Sequence, residues 1–171
     1  MKLIFILLIA VLKLSITGYC QDTTLLKRIP YHLSVAVDKK ISYEEDLNEV
    51  PYVLPNSTVQ LYPGEIVNFE IEQENGVIKN MTAVKEIKNP AKTITISFTQ
   101  SVKKKVHELM MLKVTNPFAN DLIYSANIFL LNQKKWVGTN VYPVGAGIAA
   151  FETWPDVIIS IGLGNWKFKN N

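Results

Sequence analysis

The aromatic and acidic side chains of the C-terminal third are the best suited of this sequence to ligand binding. All three tryptophans lie between residues 136 and 166, and residues 151–156 combine aromatic rings with carboxylates, which favours a loop. Such rings can stack on sugars while carboxylates accept hydroxyl hydrogens, and the same groups can dock a peptide. We therefore predict a ligand-binding site with these contact residues: Trp136, Tyr142, Phe151, Glu152, Trp154 and Asp156. The alternative is that Trp136 and Trp154 fill the ends of the hydrophobic core.

Glu152 and Asp156 are the residues that a catalytic interpretation would use. They are four positions apart across Trp154-Pro155, so their carboxyl groups could converge as the acid pair of a small hydrolase. The chain has no Gly-x-Ser-x-Gly motif, and its single cysteine, Cys20, lies in the N-terminal segment, so an activated nucleophile is not indicated. We favour a non-catalytic protein and keep the hydrolase as the alternative.

The sequence indicates neither a metal site nor a cofactor site. His32 and His107 are the only histidines, and neighbours such as His107 and Glu108 point to opposite faces of a strand. Two Gly-x-Gly segments, residues 145–147 and 162–164, lack the Lys-Ser/Thr pair of a phosphate loop, so we interpret them as turns or bulges.

The charge of the chain argues against a nucleic-acid partner. The net charge is +3, and removal of residues 1–20 takes away Lys2 and Lys13 and leaves +1. Arg28 is the only arginine, so bidentate contacts to phosphate or guanine are nearly absent. A strongly basic face is what binding to phosphates requires. We therefore expect no nucleic-acid binding.

Residues 1–20 have the pattern of a signal peptide. Lys2 precedes an apolar run over residues 3–12, which is far shorter than the ~20 residues of a membrane-spanning helix. Cleavage after Cys20 would release a cysteine-free, secreted domain. The alternative is a bacterial lipoprotein signal that ends before Cys20, whose lipid would then be the only membrane contact. Both interpretations predict an extracytoplasmic location.

The rest of the chain predicts a single all-β domain over residues 25–171. Residues 93–99 alternate apolar side chains with hydroxyls, the period of a half-buried strand. Turn dipeptides such as Asn75-Gly76 separate apolar runs at intervals typical of a sandwich or barrel. Residues 157–161 are apolar on both faces, which predicts a central strand or one that a partner covers. Residues 42–50 are rich in carboxylates and predict at most one helical turn.

An apolar strand, an Asn-Pro turn and a strand with a tyrosine follow one another in residues 112–118 and 123–128. In sequence these are Leu112-Lys113-Val114-Thr115-Asn116-Pro117-Phe118 and Ile123-Tyr124-Ser125-Ala126-Asn127-Ile128. This arrangement resembles the immunoglobulin-like and fibronectin-like modules of secreted bacterial proteins. The resemblance implies an immunoglobulin-like antiparallel β-sandwich and says little about activity, because one fold serves many functions.

These observations favour a non-catalytic binding or interaction module, secreted or tethered to the cell envelope, whose partner is a protein or a glycan there. Two alternatives remain besides it: the small hydrolase, and a structural subunit of an envelope assembly. The second alternative follows from residues 157–161, since an exposed apolar strand promotes oligomerisation.

The two interpretations of Cys20 predict different mature proteins. We expect the intact mass of the protein from its native source to match a chain that begins at Gln21, and the protein to stay in the aqueous phase on detergent partitioning. A chain that begins at a diacylated or triacylated Cys20 and enters the detergent phase would establish the lipid anchor instead.

Overall fold

The computed structural model describes residues 25–169, so the predicted signal peptide and Cys20 lie outside the described residues. Antiparallel strands make up most of this part of the chain. In chain order they are β1 (Tyr31–Ala36), β2 (Ser42–Leu47), β3 (Val53–Leu54), β4 (Thr58–Leu61), β5 (Glu65–Glu74), β6 (Val77–Val84), β7 (Thr93–Lys103), β8 (Val106–Thr115), β9 (Leu122–Leu130), β10 (Lys135–Thr139), β11 (Ala149–Trp154) and β12 (Ile158–Phe168). Over residues 25–169, no helix has the length and apolar character needed to cross a membrane.

Two five-stranded antiparallel sheets form the domain. The front sheet has the order β10-β9-β12-β4-β3, and the back sheet has the order β11-β8-β7-β5-β6. Alternate residues of each strand point into one shared core, as in β7, where Ile94, Ile96 and Phe98 are fully buried. This burial stabilises the fold because apolar surface is removed from water on the inner faces of both sheets. The prediction of an all-β sandwich is confirmed at this level.

The predicted Asn-Gly turn agrees with the structure, and β6 begins directly after it at Val77. Asn75 and Gly76 join β5 to β6 with φ values of 51° and 77°, the left-handed backbone that a two-residue hairpin turn needs and that this dipeptide adopts readily.

β12 is the central strand of the front sheet, and its first four residues, 158–161, are buried on both faces. It pairs with β9 on one side and β4 on the other. Ile158 and Ile161 face the core, whereas a bulge turns Ile159 to the outer face. There the β1–β2 hairpin covers Ile159 with Leu33 and Val35. The central-strand prediction for residues 157–161 is confirmed, and the cover comes from the same chain.

The hairpin corrects one prediction, because residues 42–47 form strand β2 and not a helical turn. Tyr43 and Leu47 alternate with Glu44 and Asp46, and only the first pair packs towards the front sheet. Glu45 obscured this alternation, because it lies on the same face as Tyr43 and Leu47 yet is exposed at the molecular surface, where it accepts the Tyr43 hydroxyl.

Arg28 and Glu65 form a buried ion pair that links the N-terminal segment to both sheets. Arg28 is 1% exposed. Its Nε donates to Glu65 Oε1. Its Nη2 donates to Glu65 Oε2 at 3.0 Å and to the Gln60 carbonyl at 3.1 Å. The guanidinium carbon lies 5.0 Å from the Tyr52 ring centre and 4.7 Å from that of Tyr62, distances suited to cation–π attraction.

Burial by itself would lower the pKa of Arg28, but the hydrogen bond and the charge of Glu65 outweigh it and raise that pKa above its ordinary value. The guanidinium is therefore charged throughout the accessible pH range. Glu65 Oε2 also accepts the Tyr62 N–H at 2.8 Å, so this carboxylate is bound on both oxygens. A buried pair of this quality is costly to break, because the remaining partner is left charged and unsatisfied.

Glu65→Gln should destabilise the fold by about 3–5 kcal/mol, since it leaves Arg28 without a counter-charge. The free energy of unfolding from urea titration measures this. Lys27→Met is the matched control, because the adjacent Lys27–Glu49 pair is exposed and should contribute no more than about 1 kcal/mol. The double variant Arg28→Met, Glu65→Leu should lose much less free energy of unfolding than the sum of the losses of Arg28→Met and Glu65→Leu measured separately. A strictly additive result would contradict the pairing.

His32 connects the two strands of the hairpin through its ring. Its Nδ1 lies 2.7 Å from Asp46 Oδ1 and its Nε2 lies 2.9 Å from Glu44 Oε2. These hydrogen bonds, that to Asp46 first, raise the pKa of His32 above its ordinary value of 6.5. A raised pKa means that the folded state favours the imidazolium, so the stabilisation is complete below pH 6.5 and is lost as the pH rises through the raised pKa.

The difference in melting temperature between the unmodified protein and His32→Gln should therefore be larger at about pH 5.5 than at about pH 9. Thermal unfolding at both values checks this, and an NMR titration should place the midpoint of His32 above that of a histidine in a short peptide. An equal deficit at both pH values would show that the ring acts only by packing.

Candidate functional site

Four of the predicted site residues lie in or next to β11, where the structure corrects the predicted loop. Residues 151–154 belong to an edge strand that pairs with β8. Phe151 is opposite Lys113 and is 57% exposed, and the ammonium lies 5.6 Å from its ring centre. Glu152 is opposite buried Leu112 on the inner face, where its carboxylate accepts the Tyr142 N–H at 2.7 Å. Neighbouring residues of the strand thus point to opposite faces.

Trp154 is part of the sandwich framework. It lies opposite buried Met110, packs against the core, and donates from Nε1 to Thr139 Oγ1 at 3.0 Å. This contact joins the β11 edge of the back sheet to the β10 edge of the front sheet. Asp156 is exposed in the bend after β11, and the Tyr142 side chain is also exposed. The six predicted residues therefore do not form one surface.

Trp136 lies on the outer face of the front sheet, away from the core. In β10 it is opposite Phe129 of β9, and the two rings meet edge to face with centres 5.6 Å apart. The side chain is 46% exposed, so the indole has one supported side and one side open to solvent. Trp136 does not fill an end of the core, which was the alternative prediction for it.

Trp136 borders a groove of about 440 Å³ that crosses β10, β9, β12, β4 and the segment after β3. We call it the amide groove because carboxamide side chains recur along it. The lining residues are Leu54, Asn56, Thr58, Gln60, Ser125, Asn127, Trp136, Gly162, Leu163, Gly164 and Asn165. None of these side chains is ionisable.

The floor of the amide groove is the bare backbone of β12. Gly162 and Gly164 occupy its outward positions, opposite Asn127 and Ser125 of β9. A Cβ at Gly162 would lie 3.7 Å from Trp136 Cζ3, so the indole edge stands directly beside this floor. We predicted a turn or bulge at residues 162–164; both glycines lie within a paired strand, and the irregularity follows Gly164.

Polar groups along the groove are partly fixed and partly free. Gln60 Nε2 donates to the Tyr62 hydroxyl at 3.2 Å and to Ser160 Oγ at 3.1 Å. Asn165 Nδ2 donates to Ser125 Oγ at 2.9 Å. Within residues 25–169, no such bond engages the side-chain amides of Asn56 and Asn127. Each amide offers two donors and an acceptor to a bound molecule.

The far wall of the groove is attached to the core. Asn56 has a φ of 62° within the 3-10 turn Pro55–Ser57. Trp166 Nε1 donates to the Ser57 carbonyl at 3.0 Å, and the Trp166 ring stacks on Tyr124 with centres 5.1 Å apart. The contact residues of the groove are therefore held by packed aromatic groups, which favours a preformed site.

A second concavity of about 640 Å³ lies between the N-terminal segment and β5. Its exposed apolar residues include Ile29 and Ile66, and Lys27 and Lys85 lie at its border. Its neutral polar side chains are those of Tyr31, Tyr52 and Asn68, and Glu65 also lines it. Among residues 25–169, no three His, Cys, Asp or Glu side chains are grouped to hold a metal ion.

Of the residues in the amide groove, the sequence analysis identified only Trp136 as a ligand contact. The sequence analysis assigned Ser125 and Asn127 to a strand and interpreted residues 162–164 as a turn or bulge. Their convergence was hidden because Gln60 and Ser160 meet from positions 100 residues apart.

Comparison of this chain with protein-family models, curated proteins and solved structures gave no significant match. The site is therefore interpreted from its own geometry.

Proposed function

We propose that this protein is an extracytoplasmic, non-catalytic binding module with an immunoglobulin-like sandwich, secreted or tethered to the cell envelope, and that it binds an envelope component in the amide groove. The observation that carries the proposal is the half-exposed indole of Trp136, which stands beside a glycine floor and free amides. Ligand sites of proteins commonly combine an aromatic surface with a few well-placed polar groups.

The connection between β8 and β9 contains the Asn-Pro turn on which the resemblance to immunoglobulin-like modules rests. It passes from the back sheet to the front sheet at Asn116, which is fully buried. Asn116 Nδ2 donates to the carbonyls of Asn120, Val144 and Gly145 at 2.9–3.1 Å, and its Oδ1 accepts the Phe118 N–H at 3.0 Å. The Asn116 side chain thereby provides hydrogen-bond partners for main-chain groups in this connection, where the hydrogen bonds between paired strands end.

The surroundings of the acidic residues favour binding over hydrolysis. Glu152 is engaged by the Tyr142 N–H, and no carboxylate lines the amide groove. A hydrolase that used Glu152 and Asp156 would need both carboxyl groups beside one substrate bond. The structural-subunit alternative relied on an apolar strand open to a partner, and Ile159 of that strand lies beneath the chain's own hairpin.

Trp136→Ala should remove binding to the native envelope, because it deletes the aromatic surface of the groove. The measurement is a sedimentation assay in which fluorescently labelled protein is titrated with washed envelope from the native source. Phe151→Ala is the matched control, since Phe151 is an equally exposed aromatic residue on the other sheet, and it should bind as the unmodified protein does.

Thermal unfolding of both variants verifies that they remain folded. Equal envelope binding by Trp136→Ala and the unmodified protein would refute the groove as the binding surface. A hydrolytic activity that Glu152→Gln abolishes would refute the non-catalytic assignment.

A further inference from the structure

We infer that the ligand of the amide groove is an uncharged glycan, a chain of neutral sugar rings that lies across β12 against Trp136. This inference rests on the proposed function, because it assigns a chemical class to the ligand of the same groove. It is carried by the electrostatics, the shape and the hydrogen-bonding character of the groove.

The side chains that line the groove are all uncharged. The protein has 18 Lys+Arg and 15 Asp+Glu, yet none of the groove side chains is ionisable. Recognition of phosphate, sulfate or carboxylate groups relies on Arg, Lys or helix N-termini, and none of these lines the groove. A neutral ligand needs no such partner.

The neighbouring hairpin adds a reason against an anionic ligand. β1 and β2 pack on the same outer face of the front sheet, where Tyr62 contacts both the hairpin and Gln60 of the groove. Glu44 and Asp46 face solvent on this hairpin. Over residues 31–47 the hairpin has four carboxylates against Lys39 and Lys40. When His32 is neutral, the remaining excess of negative charge disfavours the approach of acidic polymers at low ionic strength.

The exposed groups match the two surfaces of a sugar ring. A pyranose has an apolar C–H face, which stacks on an aromatic ring, and equatorial hydroxyls that each donate and accept hydrogen bonds. Trp136 supplies the ring, and the amides of Asn56 and Asn127 supply donors and acceptors. The absence of side chains at Gly162 and Gly164 leaves room for the sugar above the backbone.

The same floor is poorly suited to a peptide. Over residues 161–163, β12 is paired along both edges, with β9 and with β4, so its main chain cannot receive an added strand there. Peptide recognition would then depend on apolar side-chain pockets, and the groove has only Leu54 and Trp136 as large apolar side chains besides the inward-facing Leu163.

The test uses isothermal titration calorimetry with the neutral and acidic glycan fractions released from the native envelope and separated by anion exchange. We expect the neutral fraction to bind, with an affinity that changes little between low and high salt because no charges pair. Trp136→Ala should weaken this binding by at least about tenfold. The acidic fraction should not bind.

Gly162→Val provides a second variant that removes no hydrogen-bonding group. It places a β-branched side chain, which suits a strand, on the groove floor, where the Cβ alone would already lie 3.7 Å from Trp136 Cζ3. The strand should still form, while the added methyl groups and the displaced indole exclude the glycan. Ser97→Val is its control, because Ser97 lies on a paired strand of the back sheet. We expect Gly162→Val to lose glycan binding and Ser97→Val to retain it, with similar melting temperatures.

Failure of this inference can be told apart from failure of the proposed function. If envelope binding depends on Trp136 but the neutral fraction does not bind, the assignment of a neutral glycan ligand is refuted, whereas the proposed binding module is retained. Loss of binding after protease treatment of the envelope would then indicate a protein partner. Salt-sensitive binding of the acidic fraction would indicate an anionic glycan. If neither Trp136→Ala nor Gly162→Val changes envelope binding, both proposals are wrong.

Discussion

The buried pair of Arg28 and Glu65 is the interaction on which the arrangement of this domain depends. Glu65 is the first residue of β5 in the back sheet, and the Gln60 carbonyl that Arg28 also binds belongs to β4 in the front sheet. The Arg28 N–H donates to the Val50 carbonyl, which holds the two ends of the hairpin segment together. One guanidinium thereby joins both sheets and places β1 and β2. Its burial has a desolvation cost, which two carboxylate contacts and two tyrosine rings offset.

The position of the hairpin then decides which part of the front sheet stays open. An antiparallel sheet can leave one face in water when that face is polar. At the Ile159 end of β12 the outer face is apolar, and Leu33 and Val35 cover it. At the Gly162–Gly164 end the outer face carries neutral polar groups, and no segment of residues 25–169 packs over it. The bulge after Ile158 marks the change between the two halves. β12 thus supports the β1–β2 hairpin at one end and the amide groove at the other.

The sequence predicted what local patterns encode and missed what depends on distant contacts. Alternation and turn dipeptides located β6, β7 and β9, because period-2 burial and Asn-Gly chemistry act within a few residues. β2 was mistaken for a helical turn since its exposed face is acidic, and β11 was mistaken for a loop since an edge strand next to Pro155 has a weak pattern. Arg28 was judged only as a missing phosphate ligand, because Glu65 is 37 positions away.

The two glycines of the groove floor have no evident role in folding. Glycine in a strand interior weakens it by roughly 0.5–1 kcal/mol relative to alanine, and here two of them occupy the central strand. Neither has the left-handed backbone that would require glycine. A Cβ would meet Trp136 at 3.7 Å from Gly162 and Thr58 Oγ1 at 3.5 Å from Gly164, both ordinary contacts. The fold would tolerate side chains at these positions. What the glycines provide is open space beside an indole and two amides, and this space is the structural basis of the proposed ligand site.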